Sequence, residues 1–233
     1  MNKPKLTIII PAYNEINTIQ NLIDKVSNLK IDKQIILIDD NSEDGTSEII
    51  KKNSNKLDKI IIHNKNMGKG AAIKSAQKFI EGKYVVIQDA DLEYDPNDLY
   101  SLLDEIEKNR RKVVYGSRVL KNPKNKKSQN FSHSLRIAGN IFLTKLSNLL
   151  NRQKLTDAHT CYKIFESELF KSIDLKEKGF SFCPEITTKI SRLNVEIIEI
   201  PINYNGRSYD QGKKIVASDG LRAIRALIKY RYF

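Results

Sequence analysis

Residues Tyr84–Pro96 read YVVIQDADLEYDP. The apolar run has the length and branched character of a buried strand, yet Asp89, Asp91 and Glu93 follow it on alternate residues. On an extended segment the D-x-D spacing points Asp89 and Asp91 the same way, and two carboxylates that close repel unless something neutralises them. A hard divalent cation, Mg²⁺ or Mn²⁺, does so, because it prefers oxygen ligands and keeps positions open for phosphates. An isolated D-x-D also serves as a surface or capping motif; its place behind a buried strand favours the cation.

Working outward, apolar runs alternate with helical patterns. KLTIII, KQIILIDD, LDKIIIHN, KYVVIQ and KVVYGS read as strands. Between them lie helical patterns: Asn14–Leu29, with Ile16, Ile19, Leu22, Ile23 and Val26 at helical spacing, then EDGTSEIIKKNS, MGKGAAIKSAQKFI, and PNDLYSLLDEIEKN with Pro96 in its first turn. This alternation predicts an α/β fold, a mostly parallel central sheet flanked by helices. After Arg118 the rhythm breaks. Residues 120–133 are polar and basic and read as a mobile loop. A helix over 135–150, strands at YKIF and VEIIEIPINY, a helix near 184–193 and a basic amphipathic helix over 218–233 complete the pattern.

The chain of 233 residues suits a single domain, 1–233. Its apolar runs fall far short of a membrane span, and MNKPKLTIIIPAYNE lacks a signal-peptide pattern, so a cytosolic chain is expected. Cys161 and Cys183 form neither a disulfide framework nor a zinc motif, and they read as small buried residues. His63, His133 and His159 lack metal spacing and read as non-ligands. With 40 Lys+Arg against 28 Asp+Glu, the net charge of +12 favours anionic partners: nucleic acid, an acidic membrane or phosphorylated substrates.

In parallel α/β sheets ligands sit beyond the carboxyl ends of the strands. Those ends carry PAYNE, DDNSEDGT, QDADLE and GSR, which together would line one crevice. In DDNSEDGT, Asp39 or Asp40 is placed to accept from a base or ribose, while Asp44-Gly45-Thr46 forms a turn and helix start. NMGKGAA resembles a phosphate cradle with Lys69 nearby, without P-loop or dinucleotide-binding glycine spacing.

In this order IIIPAYNE, ILIDDNSEDGT, NMGKGAA, QDADLEYDP and GSR resemble the family 2 glycosyltransferases of GT-A fold. LTDAHTCYKIF, GFSFCPEI and PINYNGRSYDQGKKI narrow the resemblance to the dolichyl-phosphate-mannose-synthase-like branch, over nearly the whole chain. It implies an inverting transfer of a hexose from a nucleotide-sugar to a polyprenyl phosphate. UDP-glucose and GDP-mannose are both compatible. By this resemblance Pro11, Tyr13, Glu15 and Asp40, with Asp39 sharing, would hold the nucleoside. Asp89, Ala90 and Asp91 would hold metal and diphosphate. Glu93 stands where relatives often carry Gln. Arg118 would lie near the donor or acceptor phosphate, and Arg207 and Lys213 would close over the diphosphate as part of a lid. The division implied is 1–118 for the nucleotide-sugar, 119–217 for acceptor and lid, and 218–233 for the last helix.

A phosphate-monoester acceptor is largely anionic at neutral pH and needs positioning more than a base. A glycan hydroxyl, the alternative acceptor, would need a carboxylate base, and Asp157 is the candidate; a structural role for Asp157 or Glu185 is the other reading. The helix 218–233 either lies on an anionic membrane surface or packs with its arginines in water. The basic loop 120–133 and Arg136 are placed to meet lipid phosphate. With no transmembrane segment, peripheral attachment at the cytosolic membrane face, a membrane-protein partner or a homo-oligomer is expected. A nucleic-acid-binding reading lacks basic stripes interleaved with aromatics, so no nucleic acid is expected.

Overall fold

The computed structural model describes residues 3–120, 131–207 and 217–233, with side chains throughout except in 131–136 and at 217. Its strands are β1 (Leu6–Ala12), β2 (Lys33–Asp39), β3 (Lys59–Ile62), β4 (Tyr84–Ile87), β5 (Val113–Ser117), β6 (Lys163–Glu166) and β7 (Ile198–Pro201). The helices are α1 (Ile19–Asn28), α2 (Thr46–Lys52), α3 (Lys69–Ala76), α4 (Asp98–Lys108), α5 (Phe131–Asn151), α6 (Ser167–Ser172), α7 (Phe182–Arg192) and α8 (Ala217–Tyr232).

The described strands form one sheet in the order β3-β2-β1-β4-β6-β5-β7. Only β6 runs antiparallel, wedged between β4 and β5. Side chains alternate across the sheet with period two. Ile8, Ile10, Leu37 and Val86 face a core closed by α1, α2 and α4. Ile9, Ile36, Ile38, Val85 and Phe165 face a second core closed by α3, α6 and α7. Buried on both sides, these strands carry the near-continuous Ile/Val/Leu runs expected of a covered sheet.

Topology fixes where the site lies. From β1 the chain moves outward through β2 to β3, then returns to β4 on the other side of β1. This reversal opens a crevice past the carboxyl ends of β1 and β4, the usual ligand position in such sheets. Because β6 runs the other way, the loop before it, residues 157–162, arrives at that same edge. The strand β7, parallel to β5, brings the strap 202–207 there as well.

Four expectations need correction. The first helix begins at Ile19, because Asn14 takes a left-handed φ of 50° and breaks the helical path. Ile16 is consequently exposed. Helix α4 begins at Asp98, two residues beyond Pro96, after a turn in which Asp95 accepts from the Asn97 amide. The segment carrying Asp89 and Asp91 is a turn, since β4 ends at Ile87 and Leu92 has a left-handed φ of 59°. Of the basic loop, 121–130 lie outside the described residues and 131–133 belong to α5.

Candidate active site

Two loops past β1 and β2 are interlocked. The Glu15 amide donates to Thr46 Oγ1 at 2.9 Å, and the Ile16 amide to Asp44 Oδ2 at 3.0 Å. Asp44 Oδ1 accepts from the Thr46 amide and hydroxyl, while Gly45 supplies a φ of 97°. Asp44 and Thr46 therefore build the turn and the start of α2. Pro11 lies in β1 beside Ile38, and Tyr13 follows it into the same loop.

Past β4 each aspartate has an internal cation. Lys69 Nζ lies 2.5 Å from Asp89 Oδ1 and 3.1 Å from Cys161 Sγ. Burial opposes both charges, but the pair overcomes it: Lys69 is held well above the usual ammonium range and Asp89 below the carboxylate range. The adjacent Ala90 is buried. Asp91 differs. Burial, then the neighbouring Asp89 and Glu93, push its carboxyl up to about 7, even with Arg207 Nη2 at 3.3 Å. The left-handed Leu92 turns the chain so that the Glu93 amide donates back to Asp91 at 3.1 Å. A non-glycine residue pays about 1 kcal/mol or more for that backbone, and such strain concentrates at functional sites.

Glu93 serves the strap. Its carboxylate accepts from the Tyr204 hydroxyl at 2.6 Å and the Arg207 amide at 2.7 Å, while its carbonyl accepts from the Asn205 amide at 2.8 Å. Asp98 holds Asn203 through amide and side chain. The strap thereby delivers Arg207 across the crevice, where Nη1 and Nη2 grip Glu15 at 2.9 and 3.1 Å. Lys213 lies outside the described residues, and for Arg136 only the backbone, within α5, is described.

Beyond β5, Arg118 and Asp157 form a two-pronged pair. Nε and Nη2 donate to Oδ2 and Oδ1 at 2.6 and 2.7 Å, and the Arg118 amide adds a third bond. The Asp157 side chain is wholly enclosed, whereas Arg118 keeps 21% of its side-chain surface exposed. Burial would raise the Asp157 carboxyl, but the guanidinium and its hydrogen bonds hold it at about 2. A carboxylate held there is a weak base. Its charge orients Arg118, whose other face lies 5.0 Å from the Tyr204 ring centroid. Glu185 is likewise occupied, accepting from the amides of Lys176 and Glu177 and from Lys189.

The other acidic strand end turns inward. Asp39 accepts from Ser42 and from Ser47, and Asp40 accepts from the amides of Met67 and Gly68 at 2.9 and 2.7 Å and pairs with His63 Nδ1 at 2.7 Å. Both carboxylates are buried. The loop leading into α3 is therefore held by the protein's own carboxylate. Gly68 and Gly70 pack so closely on the backbone of Lys178 and Glu177 that a Cβ would lie 2.5 and 2.2 Å from their carbonyl oxygens. In NMGKGAA the two glycines thus serve close packing, and Lys69 pairs with Asp89.

Sequence reasoning passed over Tyr94, Tyr204 and Glu199, and Cys161, read as a small buried residue, is half-buried beside Lys69. Tyr94 stacks with Tyr162 and Tyr204 at 4.8 and 5.2 Å, and its hydroxyl accepts from the Cys161 amide. Glu199 accepts from the amides of Thr156 and Asp157 at 2.5 and 2.8 Å, fixing the loop that presents Asp157. Both tyrosines sit inside quoted motifs, DLEYDP and PINYNGR, which was the available signal; Glu199 had none.

The sheet, the switch-point crevice and the acidic turn after β4 define a sugar-nucleotide transferase of GT-A architecture. The chain belongs to glycosyl transferase family 2, whose model matches residues 7–174. It is 30% identical to the UDP-N-acetylglucosamine–dolichyl-phosphate N-acetylglucosaminyltransferase of Methanococcus voltae, over 90% of either chain. It is 29% identical to the dolichyl-phosphate beta-glucosyltransferase ALG5A of Trichomonas vaginalis, over 98% of this chain and 73% of that one. The low-salt glycan biosynthesis hexosyltransferase Agl6 of Haloferax volcanii is 29% identical over 97% of this chain, which spans only 53% of that relative's length. Among solved structures, glucosyl-3-phosphoglycerate synthase of Mycobacterium tuberculosis, crystallised with Mn²⁺, UDP and phosphoglyceric acid, aligns with a TM-score of 0.74. The alignment covers 98% of this chain and 79% of that one at 17% identity, which establishes the shared fold.

Proposed function

We propose that this chain transfers a hexose from a nucleotide-sugar to a polyprenyl phosphate, with inversion at the anomeric carbon. The observation that carries the reading is the Arg118–Asp157 pair. The carboxylate that a hydroxyl acceptor would need as base is buried and held near a pKa of 2, so it is a poor base. What this corner offers instead is a fixed cation, with the Arg118 Nη1 edge left after Nε and Nη2 bond Asp157. An anionic acceptor needs that cation and correct placement, and no proton has to be removed. The named activities of the Methanococcus and Trichomonas relatives support the same acceptor class.

On this reading Pro11, Tyr13 and Glu15 border the nucleoside, Asp39 and Asp40 support that pocket from beneath, and Ala90 lies on its floor. Asp89 and Asp91 would hold Mg²⁺ or Mn²⁺. The donor set fits: Asp89 and Asp91 lie two residues apart on the turn past β4, and hard carboxylates completed by substrate phosphates are the usual arrangement for such ions. Burial is the main reason the Asp91 carboxyl is raised, but the neighbouring Asp89 and Glu93 charges add to it, and they favour added positive charge there. Bound there, the ion would supply charge to the departing diphosphate. Arg118 and Arg207 flank the same place from β5 and from the strap. Lys213 and Arg136 remain assigned to the diphosphate and the acceptor. The whole chain is read as one transferase unit.

Leu221 and Ile228 on α8, and Phe233 just past its end, are exposed, while Ala223, Ala226, Leu227 and Tyr230 pack inward. No described helix is long and apolar enough to cross a membrane. With Arg222, Arg225 and Lys229 beside it, the outer face suits an anionic membrane interface at the cytosolic side, each cation contributing about 1 kcal/mol. The test is a donor screen with Mg²⁺ or Mn²⁺ and an undecaprenyl- or dolichyl-type phosphate. A sugar-lipid product supports the reading; products on glycan hydroxyls alone refute it.

A further inference from the structure

The two aspartates after β4 are neutralised by cations of different kinds. Lys69 belongs to α3, whose first turn is locked against the backbone of Glu177 and Lys178, and its ammonium lies between Asp89 and Cys161. It is part of the fold. Arg207 instead hangs at the end of the strap 202–207, which is tied down by polar contacts to Glu93 and Asp98. Its contact with Asp91 is long, 3.3 Å, and its Nε is buried without a hydrogen bond, 3.8 Å from Glu93. Nη1 and Nη2 reach over to Glu15 on the opposite wall. The guanidinium therefore spans the crevice between PAYNE and the acidic turn, the space that a donor diphosphate and its cation must share.

We propose that Arg207 is a displaceable internal counter-ion of Asp91, so that a divalent cation and Arg207 compete for this carboxylate and cation entry releases the strap from it. The inference rests on the reading that Asp91 holds the cation. A dication on Asp91 would sit within about 4 Å of the present guanidinium, and like charges at that separation in a buried site exclude one another. Asp89 undergoes no such exchange, because its partner is fixed. Displacement leaves Arg207 at the crevice on Glu15 alone, with one carboxylate rather than two to exchange for an incoming diphosphate, a group that a guanidinium fork is suited to bind. The substrate-free arrangement would thus lower the affinity for the bare ion and couple release of the Arg207 side chain from Asp91 to its arrival. A bridge closed about nine-tenths of the time reduces apparent affinity about tenfold.

Mn²⁺ binding to the whole chain without nucleotide, followed by the paramagnetic resonance signal of the free ion, tests this. Arg207→Gln is expected to bind Mn²⁺ about tenfold more tightly than wild type, and Arg207→Lys, which keeps the charge and loses the fork, about threefold. The gain should persist in about 0.5 M KCl, where screening acts within about 4 Å. It should vanish in Asp91→Asn/Arg207→Gln. Unchanged or weaker binding by Arg207→Gln, or a gain abolished by salt, overturns the proposal. Should Arg207→Gln not fold, unchanged affinity in Arg207→Lys overturns it equally. Wild-type affinity undisturbed by Asp91→Asn would instead refute the assignment of the cation to Asp91.

Discussion

Replacing Asp157 with Asn keeps the size of the side chain and removes the charge that holds Arg118. The structure gives the cost in two ways. The carboxyl falls from 3.8 to about 2 on folding, which corresponds to about 2 kcal/mol of stability. Removing one partner of a buried ion pair costs about 3–5 kcal/mol, and the partial exposure of Arg118 moves this towards the lower end. Asp157→Asn should therefore lose about 2–4 kcal/mol, lowering the melting temperature by roughly 5–12 °C for a chain of this size. The sign with pH follows from a depressed folded pKa. The wild-type advantage is complete above about pH 4, shrinks as pH falls towards 2, and vanishes below it. Urea unfolding of both proteins at about pH 6 and about pH 3 measures this. A variant as stable as wild type that nevertheless fails to turn over would refute the reasoning and restore Asp157 as a base.

Three further outcomes are expected. Lys69→Met strands Asp89 in the interior and should cost about 3 kcal/mol, most of it recovered in Lys69→Met/Asp89→Asn, as a double-mutant cycle of unfolding free energies would show. Gly70→Ala drives a Cβ to 2.2 Å from the Glu177 carbonyl oxygen and should destabilise by more than about 2 kcal/mol, whereas Gly139→Ala, with nothing within 4 Å on helix α5, should stabilise by about 0.5–1 kcal/mol; thermal melts compare them. Leu221→Glu/Phe233→Glu should abolish co-sedimentation with anionic vesicles while leaving the melting temperature within about 1 °C, because both side chains are exposed; retained sedimentation would remove α8 from the membrane.

The alternation of five strands with helices was legible because β1, β2, β4 and β5 are covered on both faces and so carry near-continuous apolar runs, while the edge strand β3, though partly exposed, keeps the run Ile60–Ile62. The placement of β6 was not. Local periodicity says nothing of strand order, and YKIF gives no sign that it runs backwards between β4 and β5. Its Lys163 is fully buried, donating to the carbonyls of Ala158 and Thr160 under the Tyr115 ring, which only the assembled sheet can arrange. The acidic strand ends were likewise visible, but their partners were not. Arg118 meets Asp157 across 39 residues, and Arg207 meets Glu15 across 192. For the same reason nothing in DDNS revealed that Asp40 also anchors the loop before α3.

The central claim is transfer to an anionic acceptor without a carboxylate base. The most direct measurement compares a polyprenyl phosphate with the matched polyprenyl alcohol, following nucleoside diphosphate release with the accepted donor and Mn²⁺. The account predicts release and sugar-lipid product only with the phosphate, and none after chelation of the metal. Equal turnover on the alcohol, or turnover indifferent to chelation, would contradict it.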